Sequence, residues 1–189
     1  VFAADFDGDH DLDLVVANLN SDSLSVLLNN GNGTFSMKTD YIVGDGPRNV
    51  VSADLDSDGD IDLIVSNHYA GSISILFNDG NGTFSGRTDY ISGTHPKSIF
   101  VEDLDGDGDI DVAVPNSESS NVSVFRNNGD GTFAARADYP AGGTPFAVSS
   151  ADFDSDGDMD LAVSNGNYAG STVSVLLNNG DGTFASKVD

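Results

Sequence analysis

The residues with the clearest chemistry in this chain are aspartates at a fixed spacing. Asp5, Asp54, Asp103 and Asp152 lie 49 residues apart, and each opens a near-copy of one segment: DFDGDHDLDLVVAN, DLDSDGDIDLIVSN, DLDGDGDIDVAVPN and DFDSDGDMDLAVSN. The last three share the pattern Asp-x-Asp-x-Asp-Gly-x-x-Asp. Alternate residues of a tight loop can turn their side-chain oxygens onto one point, and glycine at position 6 permits the sharp turn. Hard oxygen donors in this number select Ca²⁺ over softer metals. Positions 1, 3, 5 and 9 are expected to ligate through side chains, and position 7 through its backbone carbonyl. The side-chain ligands are then Asp54, Asp56, Asp58 and Asp62; Asp103, Asp105, Asp107 and Asp111; and Asp152, Asp154, Asp156 and Asp160. Asp60, Asp109 and Asp158 contribute their carbonyls. Without a cation, four or five carboxylates packed together repel by ~1 kcal/mol per close pair even at the dielectric of water. An EF-hand is excluded: its bidentate Glu at position 12 is here Val16, Val65, Val114 or Val163, and strand formers follow.

The first loop is a variant. Asp5, Asp7, Asp9 and Asp13 keep the side-chain positions and Asp11 the carbonyl position, but His10 replaces glycine at position 6. A side chain in the left-handed region is disfavoured, so the first site is expected to be weaker, though still filled at millimolar Ca²⁺. One cation per repeat gives about four in all. Imidazole matches Ca²⁺ poorly, so His10 is not expected to ligate.

The aspartates also explain the composition. The chain carries 31 acids and 7 bases, a formal charge of −24, and 20 of the acids lie in the four loops. There is no basic footprint for nucleic acid, and an anionic membrane surface would repel the chain. No apolar run has the length of a membrane span. The absence of Cys removes disulfides, thiolate metal sites and a Cys nucleophile. With 38% hydrophobic residues and 22 Gly, the chain reads as folded and turn-rich. It begins at Val1 without Met or a charged-then-apolar leader, which reads as a mature form or an excised fragment.

The 49-residue period extends beyond the aspartates. A hairpin-turn segment recurs as NNGNGTF at 29–35, NDGNGTF at 78–84 and NNGDGTF at 127–133 and 178–184, and Tyr-x-x-Gly-x-x-Pro recurs from Tyr41, Tyr90 and Tyr139. The last repeat has two extra residues near 166–171. The second repeat shows the elements best. Asn49–Leu55 is apolar, Leu63–Ser66 suits a buried strand, Ser72–Phe77 alternates with period 2, and Phe84–Ile91 is a polar fourth strand. Four strands per repeat predict an all-β chain, a β-propeller of four four-stranded blades. The blades fall at about 1–46, 47–95, 96–144 and 145–189, in one domain. Phe35, Phe84, Phe133 and Phe184, with the three tyrosines, are expected to pack between blades or under the hairpin turn.

DLDSDGDIDLIVSN, NDGNGTF and YISGTHP together resemble the FG-GAP/VCBS repeat, which builds integrin-α-like propellers and many secreted bacterial proteins. The resemblance spans all four repeats. It implies Ca²⁺ in the loop between the first and second strands of each blade. It also implies an extracellular or cell-surface setting and roles in adhesion, in protein or glycan binding, or as an accessory propeller of a secreted enzyme. Family rings commonly have seven blades. Four repeats are then a complete small ring, part of a larger ring, or a half-ring that pairs with a second copy as a homodimer.

The function expected is a calcium-binding, calcium-stabilised extracellular interaction module without catalytic activity. No Gly-x-Ser-x-Gly, His-Glu-x-x-His or phosphate-binding Gly-Lys-Ser/Thr motif occurs. The partner is an extracellular protein or, in the alternative, a glycan bound as by a lectin. Neither nucleic acid nor membrane insertion is expected. The candidate ligand-binding residues lie at the blade ends opposite the aspartate loops: Arg48, His68, Tyr69, Lys97, Phe146 and Tyr168, with Glu118 nearby. Aromatic and cationic loop residues on a rigid scaffold are plausible contacts. His68 and His95, taken singly, read as ordinary loop histidines.

Overall fold

The computed structural model describes residues 1–167 and 170–188. Among these residues there is no helix, and none is long and apolar enough to cross a membrane. The chain forms four antiparallel sheets in sequence order. The first holds β1 (Phe2–Ala4), β2 (Asp13–Asn18), β3 (Ser23–Leu27) and β4 (Thr39–Ile42). The second holds β5 (Pro47–Ala53), β6 (Asp62–Asn67), β7 (Ser72–Asn78) and β8 (Phe84–Ile91). The third holds β9 (Phe100–Glu102), β10 (Asp111–Asn116), β11 (Asn121–Phe125) and β12 (Ala137–Pro140). The fourth holds β13 (Pro145–Ala151), β14 (Asp160–Asn167) and β15 (Gly170–Leu176), and Val188 bridges to Val175 where a fourth strand would run.

Each strand follows from its residues. The run Leu63-Ile64-Val65 is apolar on both sides because β6 is central and its sheet is covered on both faces. β7 alternates isoleucine and serine, yet its serines are buried too. Asn67 Nδ2 donates to Ser74 Oγ at 2.8 Å, and Ser74 Oγ donates to Asp89 Oδ1 at 2.6 Å. The same chain recurs as Asn18–Ser25–Asp40 and Asn116–Ser123–Asp138. A polar row inside a sheet stack is tolerable because each member has a partner.

Neighbouring sheets pack through a repeating set of positions. Phe6, Val15, Leu24 and Val26 of the first sheet meet Leu63, Val65, Leu76 and Phe84 of the second. Leu55, Ile64, Ile73 and Ile75 meet Val112, Val114 and Phe125 of the third. Leu104, Ala113, Val122 and Val124 meet Leu161, Val163, Leu176 and Phe184 of the fourth. The hairpin phenylalanines cross these seams edge-on. Phe84 lies 5.5 Å from both Phe6 and Tyr41, Phe133 lies 5.2 Å from Tyr90, and Phe184 lies 5.2 Å from Tyr139. Packing between blades, expected for the phenylalanines and tyrosines, holds at these three seams. Phe35 remains 38% exposed.

The sheets therefore follow one another as blades of a propeller, but the series is open rather than closed into a four-bladed ring. Phe153 of the fourth blade is 51% exposed, whereas its equivalents Phe6, Leu55 and Leu104 are 1–2% exposed. Of the three ring arrangements the sequence allowed, the complete small ring is the one this structure does not form.

Candidate metal centre

Each aspartate loop joins the first and second strands of its blade, at the end where the hairpin of the third and fourth strands also turns. Antiparallel pairing forces this arrangement, so loop and hairpin brace one another. The position 9 carboxylate is the brace. Asp62 Oδ2 accepts from Leu55 N at 3.0 Å and its Oδ1 from Asn78 N at 2.9 Å. Asp111 does the same with Leu104 N (3.0 Å) and Asn127 N (2.8 Å). Asp13 bonds Phe6 N and Asn29 N, and Asp160 bonds Phe153 N and Asn178 N. All four position 9 aspartates are buried.

Position 1 shapes the loop itself. Asp103 accepts from Gly106 N at 2.8 Å and Gly108 N at 3.0 Å, Asp152 from Ser155 N and Gly157 N, Asp5 from Gly8 N and His10 N, and Asp54 from Gly59 N. Position 5 accepts from the position 7 amide, through Asp9, Asp58, Asp107 and Asp156. The position 7 carboxylates turn away, toward the hairpin glycines. A Cβ on Gly31, Gly80, Gly129 or Gly180 would fall 2.4–2.6 Å from Oδ2 of Asp11, Asp60, Asp109 or Asp158.

What remains is a set of converging oxygens. Atoms of Asp5, Asp7 and Asp13; of Asp54, Asp56 and Asp58; of Asp103, Asp105 and Asp111; and of Asp152, Asp154 and Asp160 lie within 4.8 Å of one another in each loop. Positions 1 and 3 appear in every group, position 9 in three and position 5 in one. Asp54 Oδ1, Asp56 Oδ1 and Asp105 Oδ1 are buried with no hydrogen-bond partner. Carboxylate oxygens left unsatisfied beside other carboxylates are compatible with a hard divalent cation. The electrostatics agree. Burial pushes the carboxyl groups of Asp62 and Asp111 up to about 6, against backbone hydrogen bonds that lower them, and the loop carboxylates at positions 3 and 5 push the same way as burial. Asp7, Asp56, Asp105 and Asp154 are also raised, by burial first and then mainly by neighbouring aspartates.

His10 adopts the left-handed conformation that its position demands (φ 74°), and its ring points into solvent. Position 4 is left-handed as well, and Ser57 (φ 61°) and Ser155 (φ 68°) occupy it in the second and fourth loops. The first, second and fourth loops thus carry one non-glycine left-handed residue each, and only the third, with Gly106 and Gly108, carries none. Strain therefore does not single out the first loop.

A second role at this end was not legible as such. The hairpin asparagines reach across the seams: Asn78 Nδ2 donates to Phe6 O at 2.9 Å, Asn127 Nδ2 to Leu55 O at 2.7 Å and Asn178 Nδ2 to Leu104 O at 2.7 Å. Each binds the aspartate loop of the preceding blade to its own. Their recurrence in the hairpin motif was the available signal.

The candidate ligand residues lie at the other end, where the second-to-third-strand turns and the blade connections meet. His68 is buried, its Nδ1 3.2 Å from Pro96 O, and its ring stacks on His95 at 4.3 Å. Tyr69 is exposed and 5.0 Å from the His68 ring. His95 Nδ1 lies 2.7 Å from Glu118 Oε1, on a left-handed backbone (φ 57°). Arg48 and Phe146 stand at bulges at the starts of β5 and β13, and Lys97 occupies the equivalent place in the third blade. Tyr168 lies outside the described residues.

Comparisons with known proteins agree with this architecture. A family model for the FG-GAP-like repeat matches residues 5–65, 54–114 and 103–163. Among solved structures, the chain is similar to a lectin of Agrocybe aegerita, described for its specific recognition of non-reducing terminal N-acetylglucosamine. Identity is 26%, with a TM-score of 0.67 over 98% of this chain. The chain spans about half (50%) of the lectin's length. The biofilm matrix protein Bap1 of V. cholerae is 20% identical with a TM-score of 0.48, over 98% of this chain and 38% of that one. No curated protein matches. With the family model covering most of the chain, the aspartate loops in register with the blades and the hairpin motif beside them, this chain belongs to the FG-GAP-like repeat family.

Proposed function

We propose that the chain is a calcium-stabilised, non-catalytic extracellular binding module whose ligand is a glycan. The observation that supports the calcium reading is the convergence of carboxylate oxygens in each loop, some buried and without any protein partner. Positions 1, 3, 5 and 9 would hold the ion, with the position 7 carbonyl. The likeness to the lectin supports a glycan over a protein partner, and with the secreted members of the family it supports an extracellular setting.

The ion's role is structural. The loops sit beside the hairpins and seams, and the converging oxygens leave little open coordination for chemistry. Extracellular sites bind with dissociation constants of ~10⁻⁴–10⁻³ M. At ~1–2 mM Ca²⁺ a site of ~10⁻⁴ M contributes about 1.5 kcal/mol and four about 6. For a chain of this size a chelator should lower Tm by roughly 10–20 °C. An unchanged melting curve in EDTA would refute the calcium reading. A glycan array probed with and without Ca²⁺ tests the ligand class, and adhesion to protein with no glycan bound would replace it.

The metal-free protein should also respond to pH in an unusual sense. Asp62 and Asp111 titrate near 6 when folded, above the ordinary 3.8. The folded state then binds more protons between those values, so stability falls as pH rises through the window. In EDTA the protein should melt higher at pH 5 than at pH 7. With saturating Ca²⁺ the order should reverse, because the ion competes with those protons. Melting curves at the two pH values check both statements.

A further inference from the structure

The chain's seven bases are not scattered. Lys38, Arg87 and Arg136 occupy one repeat position, in the outer strand or just before it, in three successive blades, and each pairs with an aspartate two residues on, Asp40, Asp89 or Asp138. Lys187 occupies that position in the fourth repeat and has an interaction of its own. Arg126 Nη1 donates to Asp181 O at 3.0 Å. Two bases are left, Arg48 and Lys97, and among the described residues neither side chain has a hydrogen bond or ion pair. They occupy equivalent positions of adjacent blades, at the end away from the aspartate loops. In a chain with 31 acids, two neighbouring bases that make no ion pair are a departure that local charge pairing would ordinarily remove.

Their surroundings are equally specific. Lys97 and Arg48 repel one another, and burial and that repulsion both hold the lysine below its ordinary range. The same two bases and His95 act on His68, whose ring is lowered first by burial. Glu118 attracts Lys97 but lies against His95 Nδ1 at 2.7 Å. The exposed ring of Tyr69 stands beside the His68–His95 stack and borders an open cleft of about 420 Å³ whose lining mixes Ser92, Thr94 and Ser119 with Ile91 and Arg136. Two unpaired cations close to His68 and an open aromatic ring beside it suit a chain of rings carrying negative groups: the cations take the charge and the aromatic face takes a sugar ring.

We propose that this end of the second and third blades binds an acidic glycan, one bearing carboxylate or sulfate, with Arg48 and Lys97 contacting the anionic groups and Tyr69 a sugar ring. This inference rests on the glycan reading above and narrows it. The chain as it stands, in 2 mM Ca²⁺ and 150 mM NaCl, is titrated with tetragalacturonate, a chondroitin sulfate tetrasaccharide, an uncharged N-acetylglucosamine tetramer and poly-glutamate. Binding of the carboxylate or the sulfate oligosaccharide in preference to the neutral one and to poly-glutamate is expected, and the two acidic arms show which anion is taken. Arg48→Ala and Lys97→Ala should each weaken that binding about 10-fold, Lys97→Arg should retain it, and the double reversal Arg48→Glu/Lys97→Glu should abolish it. The melting temperature should not change in the single variants, since neither side chain has a partner to lose. The double variant keeps every aspartate loop, so binding bridged by Ca²⁺ at those loops would survive in it, and such survival overturns the proposal. So does poly-glutamate binding as tightly as the acidic sugars. Binding of the neutral tetramer alone overturns this inference and leaves the glycan reading standing; binding of no glycan overturns both.

Discussion

The face of each blade that looks toward the next carries apolar residues at the same positions four times, but only three of the four faces are covered. Leu24, Ile73 and Val122 are fully buried on β3, β7 and β11, while Val173, at the same place on β15, is 56% exposed. Phe153 departs from Phe6, Leu55 and Leu104 in the same way. At the opposite end of the series, Leu14, Val16 and Leu27 of the first blade are only partly covered, although their equivalents Leu63, Val65 and Leu76 are buried. Identical positions thus have different energetic weight depending on whether a blade follows. Burial belongs to the seam, not to the residue.

Substitutions at matched positions can break this comparison. Ile73→Ala should cost about 3 kcal/mol, since it empties a packed seam, and Val173→Ala less than about 0.5. Urea or thermal unfolding of the two variants reads the difference, and equal costs would mean that the fourth blade's outer face is covered in solution. A smaller contrast is expected among the hairpin asparagines. Asn127→Ala leaves Leu55 O and Ile110 O without their donor and should cost about 2 kcal/mol. Asn29 Nδ2 donates to Leu12 O within its own blade, with no bond across a seam, and the residue is partly exposed, so Asn29→Ala should cost about half as much, read from the same unfolding curves. The smallest contrast sits in the hairpin glycines. Gly131 and Gly33 are both left-handed, at φ 73° and 82°. A Cβ at Gly131 would lie 2.4 Å from the Phe77 ring of the preceding blade, whereas one at Gly33 meets nothing. Both alanine variants pay the conformational cost, and Gly131→Ala should be destabilised by about 1 kcal/mol more. A difference of zero would mean that Phe77 swings aside freely.

The two ends of the blades differ as much as the seams do. At one end every blade repeats the same aspartate loop and hairpin, bonded through Asp13, Asp62, Asp111 and Asp160. At the other end the repeat lapses: the places of His68 and Tyr69 are taken in the third blade by Ser117 and Glu118, and that of His95 in the fourth by Thr144. Periodic chemistry can be read from spacing alone, which is why the aspartate loops were visible in the chain. Non-periodic chemistry cannot. His68 and His95 are 27 residues apart and looked like two ordinary loop histidines, yet they stack because the turn of one blade abuts the connection leading to the next. The left-handed serines carry no sequence mark of that conformation: it accompanies the closure of the loop, at Ser155 with its amide donating to Asp152.

Period, strand pattern and donor chemistry were local properties, and the sequence determined them: four repeats, four strands in each of the first three and three with a bridge in the last, and oxygen clusters fit for a hard cation. Turn residues and alternation act over a few positions, and a repeated motif states the same local energetics several times. Whether the blades close, which of the equivalent phenylalanines and valines are buried, and which two bases are left without an ion pair were decided only in the tertiary structure. Those outcomes depend on contacts between segments about 50 residues apart, and the pairing energy of such segments appears in no single stretch of the chain.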